Sequence, residues 1–204
     1  AQGFIFYLSN TGVLSLRMNN GGVNSGPTGT TTIPLNKWTF VTATFNGSNA
    51  SIYVNGVLDK SADGTIGSAS VNYLRIGQAS WATSSYFNGF MDEIKIYPYA
   101  RTTAQIKADF KARGTTKGSS VSLGASDKNL DALSNGLVGY WKTDEATWSG
   151  TLAEVVDSSG NANHGQAQGA TGGKAYPTTG KFGNGGFFDG VDDYVDFGDP
   201  SSLK

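Results

Sequence analysis

The fold of this chain is decided by the stretch Asp157-Ser-Ser-Gly-Asn-Ala-Asn-His-Gly165 and its continuation Gly183-Asn-Gly-Gly-Phe-Phe-Asp-Gly-Val-Asp-Asp-Tyr-Val-Asp-Phe197. Polar turns rich in Asn, Asp and Gly alternate here with short apolar segments, which is typical of strands joined by tight turns. The turns are dense in side-chain oxygens, the ligands that a hard cation such as calcium takes. The stretch therefore predicts strands of a β-sandwich whose loops suit a cation.

The composition of the whole chain also favours an all-β fold. Glycine accounts for 29 of 204 residues, whereas charged residues make up only 15%. With a net charge of −1 and no apolar run near the ~20 residues of a spanning helix, we expect neither nucleic-acid binding nor membrane insertion. The lack of cysteine excludes disulfides, which suits the cytoplasm and equally a bacterial surface protein that uses calcium instead.

Short apolar segments between turn residues predict the strands. Val41, Ala43 and Phe45 share one face of such a segment. Asn55-Gly56 predicts a two-residue type I′ hairpin, because both central residues of that turn need positive φ. The predicted strands are 3–8, 13–18, 38–45, 51–54, 57–58, 73–76, 90–97, 137–142 and 191–197, and 19–32 is predicted to be a loop.

The alternation in 90–97 places a carboxylate on an apolar face. Asp92 shares a face with Phe90, Ile94 and Ile96. If that face is the core, the Asp92 carboxylate points inward, where an isolated charge is costly. It is then paired, protonated or bound to a metal, or it makes a capping hydrogen bond at the rim of the sheet.

Residues 99–113 are predicted to form the helix. Thr102 and Gln105 have the spacing of a capping box, and Ile106 and Phe110 lie on one face. Beyond it, residues 114–136 are rich in Ser, Gly, Lys and Asp, which is typical of a linker.

Several motifs on both sides of this linker carry a family resemblance. They are Gly136-Leu-Val-Gly-Tyr-Trp141 with Asp144-Glu145, Val156–Gly165, Gly180-Lys-Phe-Gly183, Phe188-Asp-Gly-Val-Asp-Asp-Tyr-Val195, Trp38–Phe45, Ile52-Tyr-Val-Asn-Gly56, Phe87–Tyr97 and the helix Arg101–Phe110. Together they resemble the concanavalin A-like sandwich of the laminin-G type, as found in bacterial surface proteins. The resemblance implies an all-β, two-sheet antiparallel sandwich (a jelly roll) with one short helix.

The order of the motifs is reversed relative to that family. Residues 1–113 resemble the C-terminal part of a laminin-G-like sandwich, and residues 137–204 resemble the N-terminal part, with 114–136 as the linker. Three arrangements fit this order: a piece of a tandem array, a circular permutant, or a subunit that completes its neighbour head to tail. We therefore expect other copies of the chain, or adjacent repeats of a parent protein, as partners.

The resemblance implies a structural calcium near the Asp157 turn. Asp157, Asn161 and Asn163 offer side-chain oxygens there, Gly165 allows its carbonyl to turn inward, and Asp92 is the partner from the other half. One ion would then tie the two halves together. The alternative is an Asx-turn, in which Asp157 bonds its own backbone.

A second acidic cluster comprises Asp189, Asp192 and Asp193. Because it lies on a turn that leads into a strand, we interpret it as a solvated hairpin end, with a metal site as the alternative. Its spacing does not match the twelve-residue calcium loop of helical calcium sensors.

No catalytic residue is predicted. His164 is the only histidine, so a histidine-based zinc triad is excluded, and no Gly-x-Ser-x-Gly elbow is present. A glycosidase needs two facing carboxylates, but the positions alternate to Glu93 hold Met91 and Lys95.

Exposed aromatic residues would provide a glycan-binding surface. Trp81, Tyr86 and Trp148 lie in loop-like sequence and are predicted to bind the ligand, with Tyr176 as a further candidate. The alternative is that they pack over the rim of the sandwich.

The sequence thus favours a non-catalytic module of an extracellular or bacterial cell-surface protein, serving adhesion, glycan contact or fibre building. The second hypothesis is a carbohydrate-binding module of a secreted enzyme such as a glycoside hydrolase, and a catalytic glycosidase is the third.

Overall fold

The computed structural model describes residues 3–67, 73–79, 85–112 and 136–199. Within these ranges the chain forms fifteen strands and one helix. The strands pair antiparallel and assemble into five sheets. The prediction of an all-β sandwich with one short helix is confirmed. The predicted linker lies outside the described residues, except for Gly136.

The chain divides into two compact units, each made of two separate segments. Unit 1 comprises Ala1–Ser70 and Tyr99–Asn135, and unit 2 comprises Val71–Pro98 and Gly136–Lys204. The boundaries of the units therefore differ from those of the two motif-bearing halves of the sequence, because residues 71–98 cluster with the back of the chain.

Unit 1 is a small sandwich of two sheets. Its strands are β1 (Gly3–Leu8), β2 (Val13–Asn20), β3 (Val23–Ser25) and β4 (Thr28–Thr32) in one sheet, and β5 (Val41–Phe45), β6 (Asn49–Val54) and β7 (Val57–Asp63) in the other. Alternate residues of β2 and β6 point into one core and are Leu14, Leu16, Met18, Ala50, Ile52 and Val54. The loop predicted over 19–32 is wrong, because β3 and β4 pair with β2 there.

The hairpin and the helix of unit 1 follow local sequence signals. Asn55 and Gly56 have φ of 50° and 77°, as the type I′ prediction requires. Helix α1 spans Thr103–Ala112, and its capping box is reciprocal: the Thr102 amide donates to Gln105 Oε1 at 2.9 Å, and the Gln105 amide donates to Thr102 Oγ1 at 3.3 Å. A Cβ on Gly56 would lie 3.3 Å from Phe110, so the helix packs against the hairpin.

One carboxylate joins the two sheets of unit 1. Asp59 on β7 accepts hydrogen bonds from the amides of Thr30 and Thr31 on β4, each at 3.0 Å, and from both their hydroxyls at 2.9 and 2.8 Å. Partial burial would raise the pKa of Asp59, but the bonds from Thr31 and Thr30 hold it below its usual range. The folded state of unit 1 therefore favours the ionised form of the Asp59 carboxyl.

We expect Asp59→Ala to destabilise unit 1 by about 1–2 kcal/mol at pH 7, since four hydrogen bonds to a partly exposed charge are lost. Because the folded-state pKa is lowered, this contribution is present above the unfolded pKa of ~4 and is lost as the pH falls below it. Urea unfolding at pH 7 and pH 3 measures both effects. Asp63→Ala, at an exposed position on the same strand, is the matched control, and equal losses in the two variants would contradict the role of Asp59.

Unit 2 joins strands from both sides of the 114–136 segment. Its strands are β8 (Arg75–Ile76), β9 (Asn88–Met91), β10 (Ile94–Ile96), β11 (Gly139–Trp141), β12 (Gln166–Gln168), β13 (Tyr176–Thr179), β14 (Asn184–Asp189) and β15 (Tyr194–Asp196). β10 pairs with β11, β8 with β15 in the sheet β12-β15-β8, and β9 with β14 in the sheet β13-β14-β9. The core is formed by Trp141, Trp148, Val155, Ala167, Ala175, Phe188, Val195 and Phe197.

The strand predicted over 90–97 is interrupted at Asp92 and Glu93. Glu93 has φ of 58°, and this left-handed residue resets the alternation between β9 and β10. Met91 therefore packs on the core together with Ile94 and Ile96, whereas Phe90 is 48% exposed. The Phe90 face is therefore the core face for Ile94 and Ile96 but not for Phe90.

Candidate functional site

The Asp157 turn is closed by hydrogen bonds to its carboxylate. Asp157 Oδ1 accepts from the amides of Tyr140 and Ser159 at 2.9 and 2.8 Å, and Oδ2 accepts from the Asn163 amide at 2.9 Å and the Ser159 hydroxyl at 2.8 Å. The Asp157 amide donates to His164 Nδ1 at 3.0 Å. Burial would raise the pKa of Asp157, but these donors lower it overall. The turn thus contains the Asx-type bonding that was the alternative to a metal.

The other predicted calcium ligands of this turn are also engaged in hydrogen bonds. Asn161 and Asn163 donate from Nδ2 to carbonyls of the segment that leads into β11, at 2.9 and 2.7 Å. Gly165 exchanges two backbone bonds with Val155, at 2.8 and 3.0 Å. The structure therefore brings Asp157, Asn161, Asn163 and Gly165 into one turn, and calcium there stays a prediction.

Asp92 occupies a different environment, between the bend that joins β9 to β10 and the tip of the β13–β14 hairpin. Its Oδ2 accepts from the Phe182 amide at 2.8 Å, whereas its buried Oδ1 has no hydrogen-bond partner among the described residues. Burial raises the pKa of Asp92 to about 6, and the charges of Glu93 and Asp144 add to this while the amides of Phe182 and Lys181 oppose it. No hydrogen bond in the described part of the chain joins Asp92 to the Asp157 turn.

We expect Asp92→Asn to stabilise the calcium-free protein at pH 7. The pKa of Asp92 is raised in the folded state, so the carboxyl ionises at lower pH in the unfolded chain than in the folded one. The free energy of unfolding therefore falls as the pH rises from about 4 to about 6. After allowance for solvent screening, the gain is on the order of 1 kcal/mol at pH 7 and vanishes at pH 4. Thermal melting in EGTA at both pH values measures it, with Asp63→Asn as the control. A lower melting temperature for Asp92→Asn at pH 7 would contradict the effect of burial.

Of the predicted ligand-binding aromatics, the structure describes Trp148 and Tyr86, and neither is an exposed residue. Trp148 is 7% exposed, packs in the core of unit 2, and donates from Nε1 to Glu145 Oε2 at 3.0 Å. Trp148 was predicted to contact a ligand from loop-like sequence, but the core of unit 2 covers its indole. Tyr86 is half-buried, and its hydroxyl accepts from Gln78 at 2.9 Å. Trp81 lies outside the described residues.

Three other aromatic residues form a row across the outer face of the sheet β13-β14-β9. Tyr176 is the register partner of Phe187, and Phe187 is the partner of Phe90. The ring centroids are 5.1 and 5.2 Å apart, while Tyr176 and Phe90 are each 48% exposed. We call these residues the aromatic row. Of the three, only Tyr176 was a candidate from the sequence, because the residues come from three separate segments that only the strand pairing brings together.

Polar side chains flank the aromatic row on the same face. Asp189 on β14 and Asn88 on β9 are register partners, and they lie two residues from Phe187 and Phe90. Thr178 follows Tyr176 by two residues on β13. Because successive same-face residues are two apart, these groups border the row. The face therefore combines stacking surfaces with hydrogen-bonding groups.

The acidic cluster lies where β14 turns into β15. Asp189, Asp192 and Asp193 each place one carboxylate oxygen within 4.8 Å of the others. Burial raises the pKa of Asp193, the Asp189 amide opposes this, and the neighbouring charges of Asp189 and Asp192 add to it. Asp193 is 2% exposed, so the interpretation as a solvated hairpin end is wrong for this residue.

Comparison with known proteins detects similarity to a family and to a solved structure. A family model described as "Concanavalin A-like lectin/glucanases superfamily" matches residues 1–107. No curated protein matches the chain. The crystal structure of an S-layer domain-containing protein from Clostridium thermocellum ATCC 27405 matches with 19% identity and a TM-score of 0.33, covering 48% of this chain and 52% of that one. The chain thus spans about half the length of that structure.

The described part of the chain has no helix that could cross a membrane. Within the described residues, the helix is ten residues long, and it lacks the length and apolar character that crossing a membrane requires.

Proposed function

Because the chain belongs to the concanavalin A-like lectin/glucanases superfamily, we propose that it is a non-catalytic β-sandwich module of an extracellular or cell-surface protein and that it contacts glycans. The family match over residues 1–107 confirms the resemblance predicted from the motifs. Laminin-G-type domains are typically non-catalytic, which supports a binding role ahead of an enzymatic one.

The aromatic row is the observation that carries this proposal. Sugar rings have apolar faces that stack on aromatic side chains, and Tyr176, Phe187 and Phe90 present three rings side by side. Since neighbouring strands lie about 5 Å apart, the row spans roughly 10 Å, enough for two sugar rings. An exposed apolar group of this kind on a folded sheet is typical of a binding surface.

The polar groups beside the row favour a glycan over a purely apolar partner. Asp189, Asn88 and Thr178 offer both donors and acceptors within the same face, and hydroxyl groups of a sugar need both. Contact with other copies of the chain or with adjacent repeats is a separate proposal, which rests on the reversed order of the motifs. A carbohydrate-binding module of a secreted enzyme would use the same face.

We expect Phe90→Ala to weaken glycan binding at least five-fold, because a ring that stacks on the ligand contributes about 1 kcal/mol or more. Tyr176→Ala is expected to do the same. The measurement is a screen of the native chain on a glycan array, followed by titration of the best-binding glycan against each variant.

Leu152→Ala is the matched control, because Leu152 is an apolar residue of unit 2 that is 82% exposed and lies outside the aromatic row. It should bind as the native chain does. Absence of any bound glycan on the array, or equal affinities for the native chain and Phe90→Ala, would contradict the proposal.

A further inference from the structure

We propose that unit 1 pairs with a second copy of the chain through the outer edge of strand β1, which gives a two-fold symmetric dimer with a continuous sheet. This inference does not rest on the glycan proposal, because β1 belongs to unit 1 and the aromatic row belongs to unit 2. It also differs from head-to-tail completion, in which two different surfaces of the chain meet.

The first observation is that β1 has an unpaired edge. β1 forms an antiparallel ladder with β2 over all six of its residues. Ser15 of β2 pairs with Tyr7 on one side and with Thr28 of β4 on the other, so β1 is the end of this sheet. Within the described residues, no strand pairs with the outer edge of β1. Its backbone amides and carbonyls can therefore accept a further strand.

The second observation is that core-facing side chains of β1 are exposed. Phe4 and Leu8 share a face with Phe6, which packs on the core of unit 1. Their register partners on β2, Met18 and Leu14, are buried. Phe4 is nevertheless 56% exposed, and Leu8 is 37% exposed. The core of unit 1 is therefore open to solvent at β1.

The facing sheet is open on the same side. Asp59 of β7 bonds to β4, so β4 and β7 lie together at one side of the sandwich. In the strand orders β1-β2-β4 and β5-β6-β7, β1 and β5 are then the edges at the other side. Val41 of β5 is exposed, although its register partner Val54 is buried. Uncovered apolar side chains on both sheets at one side are typical of a surface that a partner covers.

The third observation is that β1 lacks the features that protect an edge strand. Edge strands usually carry charged side chains, proline or a bulge, which prevent pairing with another chain. The segment Gly3-Phe-Ile-Phe-Tyr-Leu8 has no charged residue and no proline, and its ladder with β2 has no register shift. By contrast, β7 carries Asp59, Lys60 and Asp63, and its register with β6 does shift. Nothing in the sequence of β1 opposes pairing.

The pattern of β1 makes a second copy the occupant. A partner strand has to be uncharged and apolar at every second residue, and β1 itself meets both requirements. When two copies of β1 pair antiparallel about a two-fold axis at Phe6, Phe4 of each copy lies opposite Leu8 of the other. Each copy then covers the side chains that the other exposes. Ile5 and Tyr7 pair in the same way on the outer face, and no like charges lie opposite each other.

Sedimentation velocity of the full chain tests the pairing, at concentrations from roughly 1 to 200 µM, which suit a small interface. The native chain should pass from monomer to dimer as the concentration rises, with no larger species. Phe4→Lys should weaken the association about ten-fold or more, since it places a charge on the core-facing side of the edge. Hydrogen exchange of residues 3–8 should slow as the native chain dimerises, and it should not slow in Phe4→Lys over the same concentrations.

Val23→Lys is the matched control. Val23 is apolar and 66% exposed, and it lies on β3, which pairs with the edge of β2 opposite β1. This variant should dimerise as the native chain does, and thermal melting establishes that both variants are folded.

A native chain that stays monomeric over the whole range would overturn the proposal. So would open assemblies that lengthen with concentration, because a two-fold contact closes at two copies. Equal association of Phe4→Lys and Val23→Lys would also overturn it. The exchange measurement needs no variant: a native dimer whose residues 3–8 exchange as fast as in the monomer does not pair through β1.

Discussion

Unit 2 depends on strand pairing between two distant segments of the chain. β8, β9 and β10 come from residues 75–96, and each forms its ladder with a strand from residues 139–196. These short strands cannot bury an apolar face alone, and the ladders bring Met91, Ile94 and Ile96 onto the core of unit 2. The aromatic row and the acidic cluster both lie on strands that this pairing fixes. If the pairing were lost, neither candidate surface would form.

Carboxylates organise the loops that connect these strands. Glu154 accepts from the amides of Ser149, Gly150 and Ala167. Asp157 accepts three hydrogen bonds from its own turn and one from Tyr140 of β11. Irregular backbone lacks the hydrogen bonds between strands that pair amides in a sheet. Each of these carboxylates accepts from such amides, which would otherwise be unpaired. Asp92 and Asp193 depart from this arrangement, because each has one buried carboxylate oxygen without a hydrogen-bond partner among the described residues.

Local signals in the sequence predicted the structure well, and signals that depend on tertiary contacts did not. The Asn55-Gly56 turn and the Thr102 capping box were predicted correctly, because a few neighbouring residues determine each of them. The alternation in 90–97 held for Ile94 and Ile96 but not for Phe90 and Met91, since one left-handed residue at Glu93 changed it. Trp148 lies in polar, loop-like sequence, and only the packed core of unit 2 reveals its burial.

The candidate sites show the same difference between local sequence signals and tertiary contacts. The Asp157 turn could be found from its Asx and Gly residues, as could the acidic cluster. The aromatic row could not, because Tyr176, Phe187 and Phe90 become neighbours only through the register of three strands. The unpartnered oxygen of Asp193 likewise depends on the loop that folds over it. Periodicity within a segment cannot reveal contacts of this kind.

The most direct test of the pairing is a disulfide between β10 and β11 within one chain. Lys95 and Tyr140 are register partners, and the native chain contains no cysteine that would compete. Since paired residues of antiparallel strands lie within the Cα separation that a disulfide spans, the Lys95→Cys, Tyr140→Cys double variant should oxidise to a monomer with an internal bond, identified by peptide mapping under non-reducing conditions. Disulfides that form only between different chains, or no disulfide at all, would contradict the account.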